Sequence, residues 1–334
     1  MMARGLSTVF RKRAVIEQAY ILLLLILVIS VITTVVNRRF VHPQNIINIF
    51  QQIAVLGIVA SGVGMLLVSG HVDISVGSQV SLLGVIFAML IQKILGLPEG
   101  NVAPWRQTFV YPIAIALTFG VGTLVGFVNG VTVVKSRANS FIISLGFMSA
   151  YHGLALLVTG GASYMLFGRF ETVGRGRILH YLPISILFFL GVVLLSHVIL
   201  KYFRYGRFLY AIGSNRRAAH VSGINTDRVV IRAYTVVGIL NALAAIILIS
   251  RVGSALATTG DAYALDALAS VIVGGVALSG GKGGAFNIFL GVVLVGLIGN
   301  ALIIMNVNPY ARDLVIGLII IAAVALSQLS ESRS

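Results

Sequence analysis

Apolar runs of roughly membrane-crossing length recur along the whole chain, separated by short polar segments. They cover residues 19–36, 46–69, 74–92, 111–134, 141–159, 184–200, 229–250, 265–279, 285–305 and 314–329. A span of about 20 apolar residues crosses a bilayer as a helix. The pattern therefore predicts an all-α polytopic membrane protein of about ten transmembrane helices, in one domain over residues 1–334. The third and eighth runs are short and rich in Gly and Ser, and each begins at an aspartate. His71-Val72-Asp73-Ile74 precedes one of them and Ala264-Leu265-Asp266-Ala267 the other, each after a longer helix and a glycine, Gly70 or Gly260. This echo predicts two pseudo-repeated halves with short interrupted helices, a pattern that in transporters marks a midplane pathway.

Composition agrees with lipid as the solvent: 58% of the 334 residues are hydrophobic and 10% are charged. No polar stretch is long enough for a separate soluble domain. The net charge of +15 does not point to nucleic acid, because the bases lie in short loops between apolar spans. With the N-terminus placed in the cytoplasm, 15 of the 24 Lys and Arg residues fall inside and nine outside. Positive charge is retained on the cytoplasmic side, so both termini are expected there, in a bacterial inner membrane. The longest inside loop, about 201–228, is also the most basic. Four bases precede the first run without a following cleavage site, which predicts a retained first helix rather than a signal peptide.

Candidate chemistry is concentrated at Gly70-His71-Val72-Asp73-Ile74-Ser75-Val76-Gly77-Ser78-Gln79. A carboxylate inside a bilayer costs roughly 2.5–3.5 kcal/mol on insertion scales, so it marks either a pathway or a structural cap. Asp73 and Asp266 both suit the N-cap of a half-helix, where free N–H groups and the positive dipole end receive a carboxylate. Ser75, Ser78 and Ser81 share one helical face, with Gln79 four residues from Ser75; that face is either wet or bonded to a neighbouring helix. Asp73, Ser75, Ser78, Gln79, Asp266 and Ser270 form the candidate translocation pathway. His71 beside Asp73 suits a proton relay or a polar turn. Gly122, Gly126 and Gly130 give the small-residue spacing of close helix packing.

Other chemistry is absent from the pattern. There is no cysteine, hence no disulfide and no thiolate metal site. The histidines are scattered, and no arrangement suits a metal centre or nucleophilic catalysis, so no catalytic residue and no cofactor on this chain are expected. Gly280-Gly281-Lys282-Gly283-Gly284 imitates a phosphate-binding loop but lacks its first Gly and its Ser or Thr after the Lys. The segment 213–225 holds Ser214 or Asn215 as a helix cap and Gly223 as a stop, which predicts a short helix lying on the cytoplasmic face.

Three segments in order resemble the ribose-type sugar ABC permease family. Ser69-Gly70-His71-Val72-Asp73-Ile74-Ser75-Val76-Gly77-Ser78 is similar to its SGGIDLSVGS signature. Residues 206–225 are similar to its cytoplasmic GR.IYAIGGN segment with the Ala-Ala and Ser-Gly-Ile that follow. Asp266 to Gly275, with Leu278 to Gly283, is similar to its LDAIAAVVIGG and GGKG stretches. The resemblance implies a permease subunit, not an enzyme, for import of a ribose-like or other monosaccharide. It implies a partner ABC ATPase that holds ATP and Mg, an extracytoplasmic sugar-binding protein, and a second permease chain, identical or not. It places ATPase coupling on Asn215, Arg216, Ala218, Ala219, Ser222 and Gly223. His71 stands where the family has glycine and Arg216 where an acid is common, and relatives carry hexoses, nucleosides or autoinducer-2. The alternative from another class is a proton- or ion-coupled secondary transporter using Asp73, His71 and Asp266.

Overall fold

The computed structural model describes residues 2–95, 104–178 and 182–308, with 311, 314–315, 317–318 and 321 beyond them; in 2–18 and 104–106 only the backbone is described. The helices are α1 (Met2–Val36), α2 (Pro43–Val68), α3 (Val76–Leu95), α4 (Pro104–Ser136), α5 (Ser140–Thr159), α6 (Thr172–Arg175), α7 (Ile184–Tyr202), α8 (Arg204–Ser214), α9 (Arg216–Val221), α10 (Thr226–Val252), α11 (Ala262–Val273) and α12 (Ala285–Ile304). Two short antiparallel ribbons cap one end of the bundle. Tyr164–Met165 (β1) pairs with Ser254–Ala255 (β4), and Arg177–Ile178 (β2) with Leu182–Pro183 (β3). Among the described residues eight helices are long and apolar enough to cross a membrane, and α11 is a shorter apolar helix. Of the tenth span expected from the sequence, 314–329, only residues 314–315, 317–318 and 321 are described.

Local signals set many of the boundaries. Pro43 opens α2 at a position whose N–H has no helical acceptor. Asn139 accepts from the N–H of Phe141 to open α5, and Asn225 accepts from that of Arg228 to open α10. Gly160 at φ +59° and Gly253 at φ +82° end the same two helices in the left-handed region.

The centre of the bundle is α10, which packs on α2, α3 and α4, while α1 stays peripheral against α12. The glycine spacing on α4 acts as expected. A Cβ on Gly126 would lie 2.3 Å from the Tyr234 carbonyl oxygen, and one on Gly238 of α10 would lie 2.0 Å from that of Gly122. The two backbones are in direct contact, which only small residues permit.

The two segments expected to be short differ. α3 runs a full 20 residues, so the interruption lies in the irregular stretch 69–75 before it. α11 has 12 residues, about 18 Å at 1.5 Å per residue, or half a crossing. After α10 ends at Val252 the chain folds back along α3, and the N–H of Gly260 donates to Ser81 Oγ at 2.8 Å. α11 therefore starts part-way into the bundle. Asp266 is not its N-cap, contrary to the expectation from sequence: the helix begins at Ala262 and Asp266 lies in its second turn. The start is fixed by the tertiary bond to Ser81 and by turn bonds such as Asp261 N–H to Thr258 O at 3.2 Å, which local sequence does not encode. Gly274 and Gly275, the latter at φ +83°, stop α11 at Val273 rather than near 279.

The α4–α10 contact yields a prediction. Gly126→Val forces side-chain atoms into the α10 backbone and should cost about 3 kcal/mol or more of stability. Gly146→Ala, where a Cβ meets nothing within 4 Å, should be near neutral. Melting of the purified proteins in one detergent, followed by tryptophan-independent scattering, compares the two.

Candidate functional site

The break between α2 and α3 leaves backbone groups unpaired inside an apolar bundle, where each costs free energy if left so. Tertiary bonds supply the partners. The Tyr234 hydroxyl donates to the Val72 carbonyl at 3.2 Å, and the Val72 N–H donates to Ser140 Oγ at 3.1 Å. His71 Nδ1 lies 2.9 Å from the Ser69 carbonyl oxygen, with its ring edge-on to Tyr234.

Asp73, 2% exposed, is the focus of a buried polar network. Its Oδ1 accepts from the N–H of Ser75 at 2.8 Å and from Ser75 Oγ at 2.5 Å. Its Oδ2 accepts from Gln79 Nε2 at 3.0 Å and Asn129 Nδ2 at 3.3 Å. The amides are oriented in turn. Asn241 Nδ2 donates to Gln79 Oε1 at 2.8 Å, and the Tyr151 hydroxyl donates to Asn129 Oδ1. Gln79 and Asn129 also donate to Ser75 Oγ at 2.8 Å and 3.2 Å, so the donors converge on the carboxylate directly and through Ser75; four donors and no acceptor meet its two oxygens, the arrangement suited to an anion. The break from α2, the start of α3, the last third of α4 and the middles of α5 and α10 are thereby tied to one charge.

This arrangement separates the residues the sequence grouped together. Asp73, Ser75 and Gln79 are assembled, and Asn129, Asn241 and Tyr151 join them without a sequence signal beyond being polar residues in apolar spans. Ser78 is buried on α3. Ser81 bonds Gly260 and Asp261, so the serine face of α3 is bonded to protein rather than open to water. Ser270 donates to the Asp266 carbonyl at 2.7 Å and lies where Gly291 of α12 presses on its backbone. His71 bonds Ser69 and not Asp73, so a His71–Asp73 relay is not formed.

Asp266 belongs to a different place, the wall of a cavity of about 640 Å³ that opens toward the end of the bundle carrying α6 and the ribbons. Asn48, Gln51 and Gln52 from the first turns of α2 face it, with Thr259 and Tyr263 from the re-entrant segment. Its rim is braced. Arg251 Nη1 donates to the Gln51 carbonyl at 3.0 Å, Gln51 Nε2 to that of Gly174 at 2.8 Å, and Arg175 pairs with Glu171 at 2.8 Å. The wall offers carboxamides, a hydroxyl, a phenol and a carboxylate, both donors and acceptors, as recognition of a neutral polyhydroxylated molecule requires.

At the opposite end lies α9, six residues capped by Asn215 Oδ1, which accepts from the N–H of Ala218 at 2.9 Å. Ser222 follows it and Gly223, at φ +83°, turns the chain away. Ala218 and Ser222 are exposed, as expected of a contact surface, but Ala219 is buried and anchors the helix to the bundle. Arg216 pairs with Asp227 at 2.9 Å, so it clamps α9 to the first turn of α10. Val221 is 82% exposed, an apolar side chain on a basic surface that the sequence reading passed over.

The α8–α9 element is joined to the bundle through backbone. A Cβ on Gly213 would lie 2.0 Å from the Val68 carbonyl oxygen and 2.5 Å from the Gly281 nitrogen, and one on Gly280 would lie 2.8 Å from Gly70. The Gly281 N–H donates to the Val68 carbonyl at 2.9 Å, and the Tyr210 hydroxyl to that of Gly283 at 2.8 Å. The glycines that imitate a phosphate-binding loop thus form a joint between α8, the end of α2 and the loop leaving α11.

Comparison with known proteins follows the same lines. The family described as branched-chain amino acid transport system / permease component matches residues 45–324. The chain is 34% identical to the ribose import permease protein of Bacillus subtilis over 305 residues, 90% of each chain. It is 34% identical to the ribose import permease protein of Escherichia coli K12 over 327 residues, 94% of each. It is 32% identical to the galactose/methyl galactoside import permease protein of the same strain over 321 residues, again 94% of each. No solved structure matches the chain.

Two substitutions probe the site. Asp73→Asn replaces an acceptor by an amide whose own donors face donors, and should lower the yield of folded protein several-fold, since an unsatisfied buried group costs about 1–3 kcal/mol. Ser78→Ala should leave the yield nearly unchanged. Gel-filtration recovery of the detergent-extracted proteins measures both.

Proposed function

Since the chain belongs to the branched-chain amino acid transport system / permease component family, we propose that it is the membrane permease subunit of a binding-protein-dependent ABC importer for a monosaccharide. One observation carries the reading: identity of 32–34% to ribose and galactose import permeases over at least nine-tenths of both chains. The chain has no phosphate-binding loop of its own, so ATP and Mg are held and ATP hydrolysed on a partner ATPase. The α8–α9 end faces the cytoplasm and receives that ATPase, with both termini on the same side, as the distribution of basic residues favours. The cavity end faces outward and receives sugar from an extracytoplasmic binding protein. A second permease chain completes the pathway.

The joint at Gly213 supplies a route for the coupling. Displacement of α9 moves α8, and α8 bears through backbone contacts on the end of α2 and on the loop after α11. α11 carries Asp266 on the cavity wall. Closure of the ATPase pair would then favour a second packing of the half-helix, and the cavity would lose its outward opening. Such a change needs two states that the ATPase binds with different affinity. Asp73 takes the part of a fixed charge that holds α3, α4 and α10 together while α11 moves. Of the expected pathway residues, Asp266 is retained for contact with the sugar, and Asp73, Ser75, Gln79 and Ser270 for support.

Two outcomes are expected in vesicles holding the assembled importer. Val221→Asp, at a fully exposed site, should reduce recovery of the ATPase with the permease at least ten-fold while membrane insertion is unchanged; undiminished recovery removes α9 from the docking surface. Asp266→Ala should lower sugar uptake about ten-fold, the effect of one lost hydrogen bond to a charged group, with ATPase recovery intact. Uptake that collapses with an uncoupler at constant ATP overturns the ABC reading itself.

A further inference from the structure

A second cavity, distinct from the one lined by Asp266, lies on the flank of the bundle between α4, α8 and α10. It has a volume of about 700 Å³ and is open to the surface. Phe127, Ile231 and Val236 form an apolar floor, and Arg228 and Arg232 stand at one end beside Tyr205. The two arginines are one turn apart on α10 and both are exposed. Neither meets a carboxylate among the described residues, because the nearest acid in sequence, Asp227, is paired with Arg216. Two cations thus occupy the first turns of a helix, where the dipole is itself positive.

The position along α10 is informative. Its apolar run begins at Val229, so Arg228 lies at the polar boundary, Ile231 and Arg232 within about one turn of it, and Val236 about two turns into the apolar zone. Exposed Tyr202 and Phe203 lie at the α7–α8 junction, next to Tyr205, whose hydroxyl donates to the Val229 carbonyl, as aromatic side chains do at a membrane interface. Lys201, Arg204 and Arg207 extend the positive surface. A groove that is basic at the interface and apolar below it has the two-part character of a phospholipid: a phosphodiester for the guanidinium forks and an acyl chain for the floor.

We infer that this groove is a binding site for an anionic phospholipid of the cytoplasmic leaflet, held by Arg228 and Arg232 at its phosphate and by Phe127, Ile231 and Val236 along its acyl chain. A second copy of this chain is a poorer occupant, since two-fold contact through this patch brings arginine toward arginine with no acid to separate them. A free phosphate leaves the apolar floor uncovered. The leaflet rests on the orientation proposed above, whereas the site itself does not.

The test uses the full-length chain purified in neutral detergent, without ATPase and without transport, so that failure here leaves the permease reading standing. Lipid retained through purification is quantified by mass spectrometry, and melting is followed with added phosphatidylglycerol, phosphatidylcholine or inorganic phosphate. Wild type should retain at least three-fold more phosphatidylglycerol than R228Q/R232Q, and only phosphatidylglycerol should raise its melting temperature. Thr235→Trp, which fills the groove and keeps both arginines, should lose the same lipid, so the inference does not hang on folding of the double variant. Equal retention by wild type and both variants overturns it. So does an equal shift with phosphatidylcholine, which makes the groove merely apolar, or with inorganic phosphate, which makes it merely an anion site. A cross-link between two copies through Phe127→Cys that phosphatidylglycerol does not suppress overturns it as well.

Discussion

A carboxylate buried in an apolar bundle must find its hydrogen bonds within the protein, and Asp73 finds four. The donors come from its own turn, from Gln79 on α3 and from Asn129 on α4. Asn241 on α10 and Tyr151 on α5 orient those donors in turn. Water cannot substitute at such depth, so the helices that carry these groups are fixed relative to one another by the requirement to satisfy one charge. The glycine contact between α4 and α10 is compatible with this geometry because it brings the two backbones close enough for Asn129 and Asn241 to serve the same network. Packing and polarity therefore specify the same arrangement, which is the condition for a single folded state.

Beside this core, α11 is a short element packed between α2 and α12. It is half a crossing long, begins without a side-chain cap, and ends at two glycines. It also carries Asp266 to the cavity wall, and its following loop meets α8 at the glycine joint. The division of the chain into a charge-locked core and a re-entrant half-helix connected to the surface by backbone contacts gives the proposed mechanism its physical basis. Rigid joints suit the task, because glycine-to-backbone contact transmits displacement without the slack of long side chains.

The apolar runs located most of the long helices, though α1 and α4 begin well before their runs and α11 ends six residues before its own, and the caps at Asn139, Asn215 and Asn225 agree with the local chemistry of Asn at helix starts. The small-residue spacing on α4 and the short capped helix on the basic loop were equally legible, since each depends on residues close in sequence. The motif resemblance named the family that the end-to-end similarity then confirmed. The roles of Asp73 and Asp266, by contrast, were read as a matched pair, and their surroundings set them apart. One is sealed in a network and the other lines a cavity. Locally they differ at the second residue on, Ser75 beside Asp73 and Leu268 beside Asp266, but the other groups that set them apart come from distant parts of the chain.

Sequence by itself determined the solvent, the helical class, the principal spans and the family, because hydrophobic length, local capping and short motifs are properties of contiguous residues. Tertiary structure alone decided that α11 enters part-way through the bundle from a bond to Ser81. It also decided that Asn129, Asn241 and Tyr151 converge on Asp73, and that Gly70, Gly213, Gly280 and Gly281 meet as a joint. Those facts depend on groups brought together from distant parts of the chain, where the pairing is chosen by the packing of helices and by the need of each buried polar atom for a partner.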